Sequence, residues 1–182
     1  MRLIVAITGA SGVIYGKRLL EVLGNKGFEV HLVVSKAAEK VIDQELGKCD
    51  WVSLATRVYF PDELTAPIAS GSFKVDGMVI VPASMKTLGA LASGYCEDLI
   101  SRAADVQLKE GRRLIVVPRE TPLHAIHLEN MAKLSKMGVV ILPAMPGFYH
   151  NPKTINDLVN FIVGKILDQL GVENELYKKW GS

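Results

Sequence analysis

Five short apolar runs, each nearly unbroken, punctuate this chain and alternate with longer amphipathic stretches. They are Leu3 to Thr8, Glu29 to Ser35, Gly77 to Pro82, Arg113 to Pro118 and Val139 to Pro143. A strand that is apolar at successive positions is buried on both faces, so the runs predict a mostly parallel sheet with helices on each side. Helices are expected over Val13 to Asn25, Lys36 to Leu46, Lys86 to Ala92, Asp98 to Lys109, Pro122 to Lys136 and Thr154 to Leu170. In the last, Ile155, Leu158, Val159, Ile162, Val163, Ile166, Leu167 and Leu170 recur at spacings of three and four and make one apolar stripe. The expected fold class is α/β, a single domain over residues 1–182 built as a three-layer sandwich.

Composition narrows the function. The 21 Lys+Arg against 19 Asp+Glu leave a formal charge of +2, too little to grip a nucleic-acid backbone or an anionic membrane surface. No apolar run approaches the roughly 20 residues that cross a bilayer, and Thr8 to Gly12 cuts the first run too short for a secretion signal. A cytoplasmic protein is expected. Hydrophobic residues still make up 49%, with mean hydropathy +0.24, more than one small core readily hides. Cys49 and Cys96 form neither CxxC nor a metal-ligand spacing and read as reduced structural thiols.

Ligands of such sheets bind beyond the carboxyl ends of the strands. The first strand ends in Thr8-Gly9-Ala10-Ser11-Gly12, whose small residues bring backbone N–H groups and a helix start towards an anion such as a phosphate, or simply make a tight turn. Its GxxGxxxG spacing is not the dinucleotide fingerprint, and Ser35-Lys36 stands where an NAD enzyme places an acid. The third strand runs into Ser84-Met85-Lys86-Thr87, where Ser84 is either a helix cap or a ligand contact. The fourth ends in Arg119-Glu120-Thr121-Pro122, with Thr121 as the expected N-cap. The fifth leads into Pro143 to Pro152, whose prolines hold Tyr149 and His150 rigidly. Arg102 and Lys109 share one helix face about 10 Å apart. With Lys86 and Arg119 they make either a local cationic pocket or an ordinary solvated face. Residues 48–76, long and non-periodic, are expected to be a functional loop.

Other patterns carry less. His124 and His127 stand at i, i+3 without a third ligand, so no metal site is expected. Tyr149 and Lys153 fit YxxxK, but Pro152 between them precludes the shared helix that this acid/base pair needs.

Taken in order, TGASGVIYG, VVSKAA, ASGS, PASMKTL, LISRAADVQLKE, VPRETP, HLENM, LPAMPGFYHNP and KKWGS resemble the flavin prenyltransferase family, the UbiX/Pad1-like proteins. The resemblance spans nearly the whole chain. It implies a Rossmann-like flavoprotein fold and a homododecamer whose sites lie between subunits, which would also absorb the surplus apolar surface, with segment 171–182 packing on a neighbour. It implies metal-independent transfer of the dimethylallyl group of dimethylallyl phosphate to N5 and C6 of reduced FMN, giving prenylated FMN for a UbiD-type decarboxylase. FMN contacts fall on Gly9, Ala10, Ser11, Ser35, Ser84, Met85, Lys86, Thr87 and Arg119. The prenyl phosphate falls to Tyr149 and Lys165, with Arg102, Lys109, Ala69, Ser70, Gly71 and Trp180 around it. Ser11, Glu45 and Glu120 are the acid/base candidates.

Three positions depart from the pattern: Lys165 stands where many members have Arg, Lys86 where some have Gly, and Leu64 near a place where some have Trp. On these assignments Arg102, Lys109, Arg119 and Lys165 form a cationic cluster hidden within the near-neutral total. Two alternatives share the fold. Related FMN-dependent cysteine decarboxylases carry PxMN, whereas Met145 is followed here by Pro146. A non-catalytic flavin-binding module would have no use for the additional phosphate-handling cations.

Overall fold

All five apolar runs form strands, and the computed structural model, which describes residues 1–47, 50 and 52–181, adds a sixth. The strands are β1 (Arg2–Ile7), β2 (Glu29–Val34), β3 (Arg57–Tyr59), β4 (Gly77–Ala83), β5 (Arg113–Pro118) and β6 (Val140–Ile141). They pair in parallel in the order β3-β2-β1-β4-β5-β6. β3 lies within the stretch expected to be loop. It is a three-residue edge strand in which only Tyr59 is buried, too short to display a period. The expectation for Cys49 lies outside the described residues; Cys96 is an exposed free thiol.

The helices are α1 (Val13–Asn25), α2 (Lys36–Glu45), α3 (Met85–Ser93), α4 (Leu99–Lys109), α5 (Ala125–Lys136) and α6 (Ile155–Leu170). Their starts follow from side chains that satisfy orphan backbone N–H groups: Ser35 accepts from Ala38 N, Ser84 from Thr87 N, and Asp98 and Thr154 make reciprocal capping boxes. α5 is the exception. Thr121 is not its cap; the N-cap position is His124, and the Thr121 N–H is taken by Glu120 Oε1. None of the helices among the described residues is long and apolar enough to cross a membrane.

Alternate strand residues feed two cores. Leu3, Val5, Ile7, Leu32, Val79 and Ile115 meet α1, α2 and α6 on one face. Ile4, Ala6, Met78, Ile80, Leu114 and Val116 meet α3, α4 and α5 on the other. Each fully buried aliphatic side chain contributes about 1.5–3 kcal/mol, which makes the strand register hard to shift.

The chain reverses its direction of winding between β1 and β4, and a crevice opens beyond their carboxyl ends. Thr8, 2% exposed, closes the base of that crevice. Its hydroxyl donates to Pro82 O at 2.9 Å and accepts from Ser84 N at 2.8 Å. The next residue must be small, because a Cβ on Gly9 would stand 2.6 Å from Ala37 Cβ at the start of α2. Thr8→Val keeps the side-chain shape and leaves Pro82 O the Thr8 N–H at 3.2 Å, but strips the Ser84 N–H of its partner, and is expected to cost about 1–3 kcal/mol in chemical denaturation.

Candidate active site

A cleft of about 540 Å³ occupies the crevice. Thr8 and Gly9 just after β1, Ser35 to Ala37 at the start of α2, Ser84 and Thr87 at the start of α3, and Asp98, Ile100 and Ser101 at the start of α4 contribute to its walls. The hydroxyls of Ser84 and Thr87 lie 3.0 Å apart. Ser84 therefore caps α3 and lines the cleft at once. Lys86 stands at the rim, mostly exposed, and pairs with Glu97 at 3.0 Å; that hydrogen bond raises its pKa. Pro61 and Asp62, just beyond β3 and within the stretch expected to be a functional loop, also line the cleft.

Beside the cleft, the Glu45 carboxylate accepts from Gly12 N at 2.9 Å and Val13 N at 3.2 Å, so the exposed Ser11 and Glu45 meet at the N-terminus of α1. The anion seated on that helix start is thus the protein's own carboxylate, a favourable charge for the positive end of the helix dipole. Arg119 follows β5, and its Nε is buried without a hydrogen-bond partner. Glu120 accepts from Thr121 N beside it. Ala10 is buried in the turn after β1, and Met85 packs partly against the α3–α5 core.

A second group assembles on α6 and the loop after β6. Tyr149 packs edge to face against Phe161 at 5.9 Å and against Trp180 at 5.1 Å. Lys165 Nζ lies over the rings of Tyr177 at 5.0 Å and Phe161 at 5.8 Å. Trp180, 81% exposed, therefore rests on its own chain's Tyr149, and Tyr177 folds back onto α6. Phe161 and Tyr177 are participants that the sequence does not single out; Phe161 reads there only as part of the apolar helix.

The third group lies across the sheet. Arg102 on α4 donates to Ala69 O at 3.1 Å and pairs with Asp105 at 2.9 Å. Lys109 pairs with Glu110, and Arg112 donates to Gly71 O at 2.5 Å. Arg102, Lys109 and residues 69–71 are thus together, with Ser70 hydrogen-bonded to Ser72. Within one chain, Lys165 does not join Arg102 and Lys109. α6 carries Lys165 on one face of the sheet and α4 carries Arg102 and Lys109 on the other, and an intact sheet separates them. The rings of His124 and His127 lie 3.5 Å apart at a 30° tilt, and among the described residues no three His, Cys, Asp or Glu converge as a metal site.

The Flavoprotein family model matches residues 1–167. The flavin prenyltransferase UbiX of Methanocaldococcus jannaschii is 54% identical over the full length of both chains. The chain belongs to the flavin prenyltransferase family. The mitochondrial flavin prenyltransferase PAD1 of Saccharomyces cerevisiae is 49% identical, over 98% of this chain and 75% of its own length. Two crystal structures superpose with TM-score 0.97. One is a dodecameric FMN-dependent UbiX-like decarboxylase from Escherichia coli O157:H7, 46% identical, with both chains fully covered. The other is AnUbiX (PadA1) in complex with FMN and dimethylallyl pyrophosphate, 45% identical over 100% of this chain and 97% of that one. The peptidyl-cysteine decarboxylase EpiD, at 19% identity and TM-score 0.65, shares the fold alone.

For a flavin prenyltransferase, the surface pair made by Lys86 and the buried Arg119 Nε that lacks a partner predict effects of different size. Arg119→Ala is expected to weaken flavin binding more than about tenfold, and Lys86→Ala less than about threefold, by isothermal titration.

Proposed function

We propose that this chain joins the dimethylallyl group of dimethylallyl phosphate to N5 and C6 of reduced FMN, without a metal, and that prenylated FMN passes to a UbiD-type decarboxylase in the cytoplasm. What most supports this is the Lys165 and Tyr149 group, a cation set in an aromatic wall outside the cleft that a flavin would fill.

The residues present suit a flavin. The cleft falls within the usual range of roughly 300–1,000 Å³ for ligand sites, offers the hydroxyls of Ser35, Ser84 and Thr87, and has beside it the orphaned Nε of Arg119. When bound, reduced FMN supplies N5 and C6 as the atoms that take the prenyl carbons. Gly9, Ala10, Ser11 and the segment Ser84 to Thr87 would hold it, the glycine by permitting close backbone approach. Lys165 would stabilise the negative charge that grows on the departing phosphate, and Tyr149 would orient it through its hydroxyl. The aromatic rings of Tyr149, Phe161 and Trp180 would keep water from the allylic carbon. Glu45 and Glu120 are the carboxylates suited to taking protons, with the Ser11 hydroxyl between solvent and the start of α1.

Arg102 and Lys109 cannot join Lys165 through the sheet, so their part in the same phosphate site requires a second copy. We assign them, with Ala69 to Gly71, to a neighbouring subunit's site in a homo-oligomer, a dodecamer as in the Escherichia coli relative. Exposed Phe60, Leu64, Met145, Phe148 and Ile155 supply apolar surface for such contacts.

Anaerobic incubation with reduced FMN and dimethylallyl phosphate is expected to yield a C5 adduct of FMN by mass spectrometry; no adduct with either the monophosphate or the pyrophosphate would refute the assignment. Glu45→Gln and Tyr149→Phe are expected to retain FMN while turnover falls about 100-fold or more.

A further inference from the structure

The ammonium of a lysine is a point charge on a flexible four-carbon stem and, unlike a guanidinium, has no planar fork to fix its orientation. Something else must aim Lys165. Residues 164, 165 and 168 lie on one turn of α6, and the chain beyond the C-cap Gly171 returns over that turn. A Cβ on Gly164 would stand 2.4 Å from Tyr177 Cδ1, so the Tyr177 ring lies directly on the helix backbone. Its hydroxyl donates to Asp168 Oδ2 at 2.5 Å. Asn174 Nδ2 donates to Asp168 Oδ1 at 3.0 Å and to Gly164 O at 3.4 Å. Phe161 meets the Tyr177 ring edge to face at 5.1 Å and completes the cradle beneath the ammonium.

We propose that Tyr177, held by Asp168 and Asn174 against Gly164, is a positioning residue that orients the Lys165 ammonium for the prenyl phosphate. The proposal rests on the phosphate-binding role given to Lys165 above. The proton donated to Asp168 fixes the phenol on the helix, and the ring faces of Tyr177 and Phe161 hold the cation by their quadrupole attraction. Hydrogen bonding by Tyr177 is the leading cause that raises the Lys165 pKa, against an opposing effect of burial. Burial, then the bond to Asp168, raises that of Tyr177, which keeps the phenol protonated. An arginine in place of Lys165 would bring its own pre-organised fork and would not need this support.

Steady-state kinetics of Tyr177→Phe tests the proposal, since the ring and its packing on Gly164 remain. The KM for dimethylallyl phosphate is expected to rise about tenfold, with FMN affinity and melting temperature close to wild type and kcat changed less than KM. Asp168→Asn, which leaves Tyr177 in place with a neutral partner, is expected to raise the same KM about threefold. In a Lys165→Arg background, Tyr177→Phe is expected to raise KM less than about twofold. If Tyr177→Phe leaves KM within about twofold of wild type, or costs as much in the Lys165→Arg background as in the wild-type chain, the positioning role is overturned while the function stands. If the wild-type chain makes no prenylated flavin, the functional assignment fails and this role fails with it.

Discussion

The Thr8 hydroxyl carries two hydrogen bonds across the point where the sheet changes its direction of winding, and the site depends on that junction. On one side the chain leaves β1 for α1 and β2; on the other, β4 leads to α3. Such divergence leaves strand ends uncovered, and the buried polar atoms at the base of the gap need partners. Thr8 supplies them: its hydroxyl gives to Pro82 O and takes from Ser84 N, and its backbone N–H also donates to Pro82 O at 3.2 Å. Gly9 then admits the start of α2 to within contact, and Ser35 and Ser84 cap helices while lining the same cleft. Stability and binding surface come from the same side chains.

The sheet imposes a second constraint. It is buried on both faces, so charges carried by helices on opposite sides cannot meet. Lys165 belongs to the α1–α6 face and Arg102 and Lys109 to the α4 face. A phosphate held by all three must lie where one chain's α6 face approaches another's α4 face. The surplus of exposed apolar residues, including Phe60, Phe148 and Ile155, is consistent with chains that associate. On the α6 side, the ammonium stands in an aromatic cradle that Tyr177 and Asp168 hold in register with the helix.

The fold was largely legible in the sequence because continuous apolar runs have few places to go other than the middle of a covered sheet. β3 was not, since its three residues Arg57 to Tyr59 sit at an edge and only one is buried. The start of α5 was misplaced because Thr121 and Pro122 carry a strong capping pattern that tertiary context overrides. Of the site, the cleft residues Gly9, Ser35, Ser84 and Thr87 were legible as small or hydroxylic residues at strand ends. Sequence spacing could not reveal that Arg102 and Lys165 lie on opposite faces, because handedness and layer order are properties of the assembled sheet. Nor could it single out Tyr177, whose partners Gly164 and Asp168 are reached only once the chain doubles back beyond Gly171.

Subunit mixing tests the proposed shared site most directly. Lys165→Ala and Arg102→Ala chains, each expected to be inactive alone, would be co-expressed in equal amounts and assayed for prenylated flavin against co-expressed wild type. Random assembly gives about a quarter of the sites an intact Lys165 from one chain and an intact Arg102 from another, so activity is predicted to recover to about a quarter of wild type. Activity no greater than that of either variant alone would place both cations in the service of one chain's own site and contradict the account.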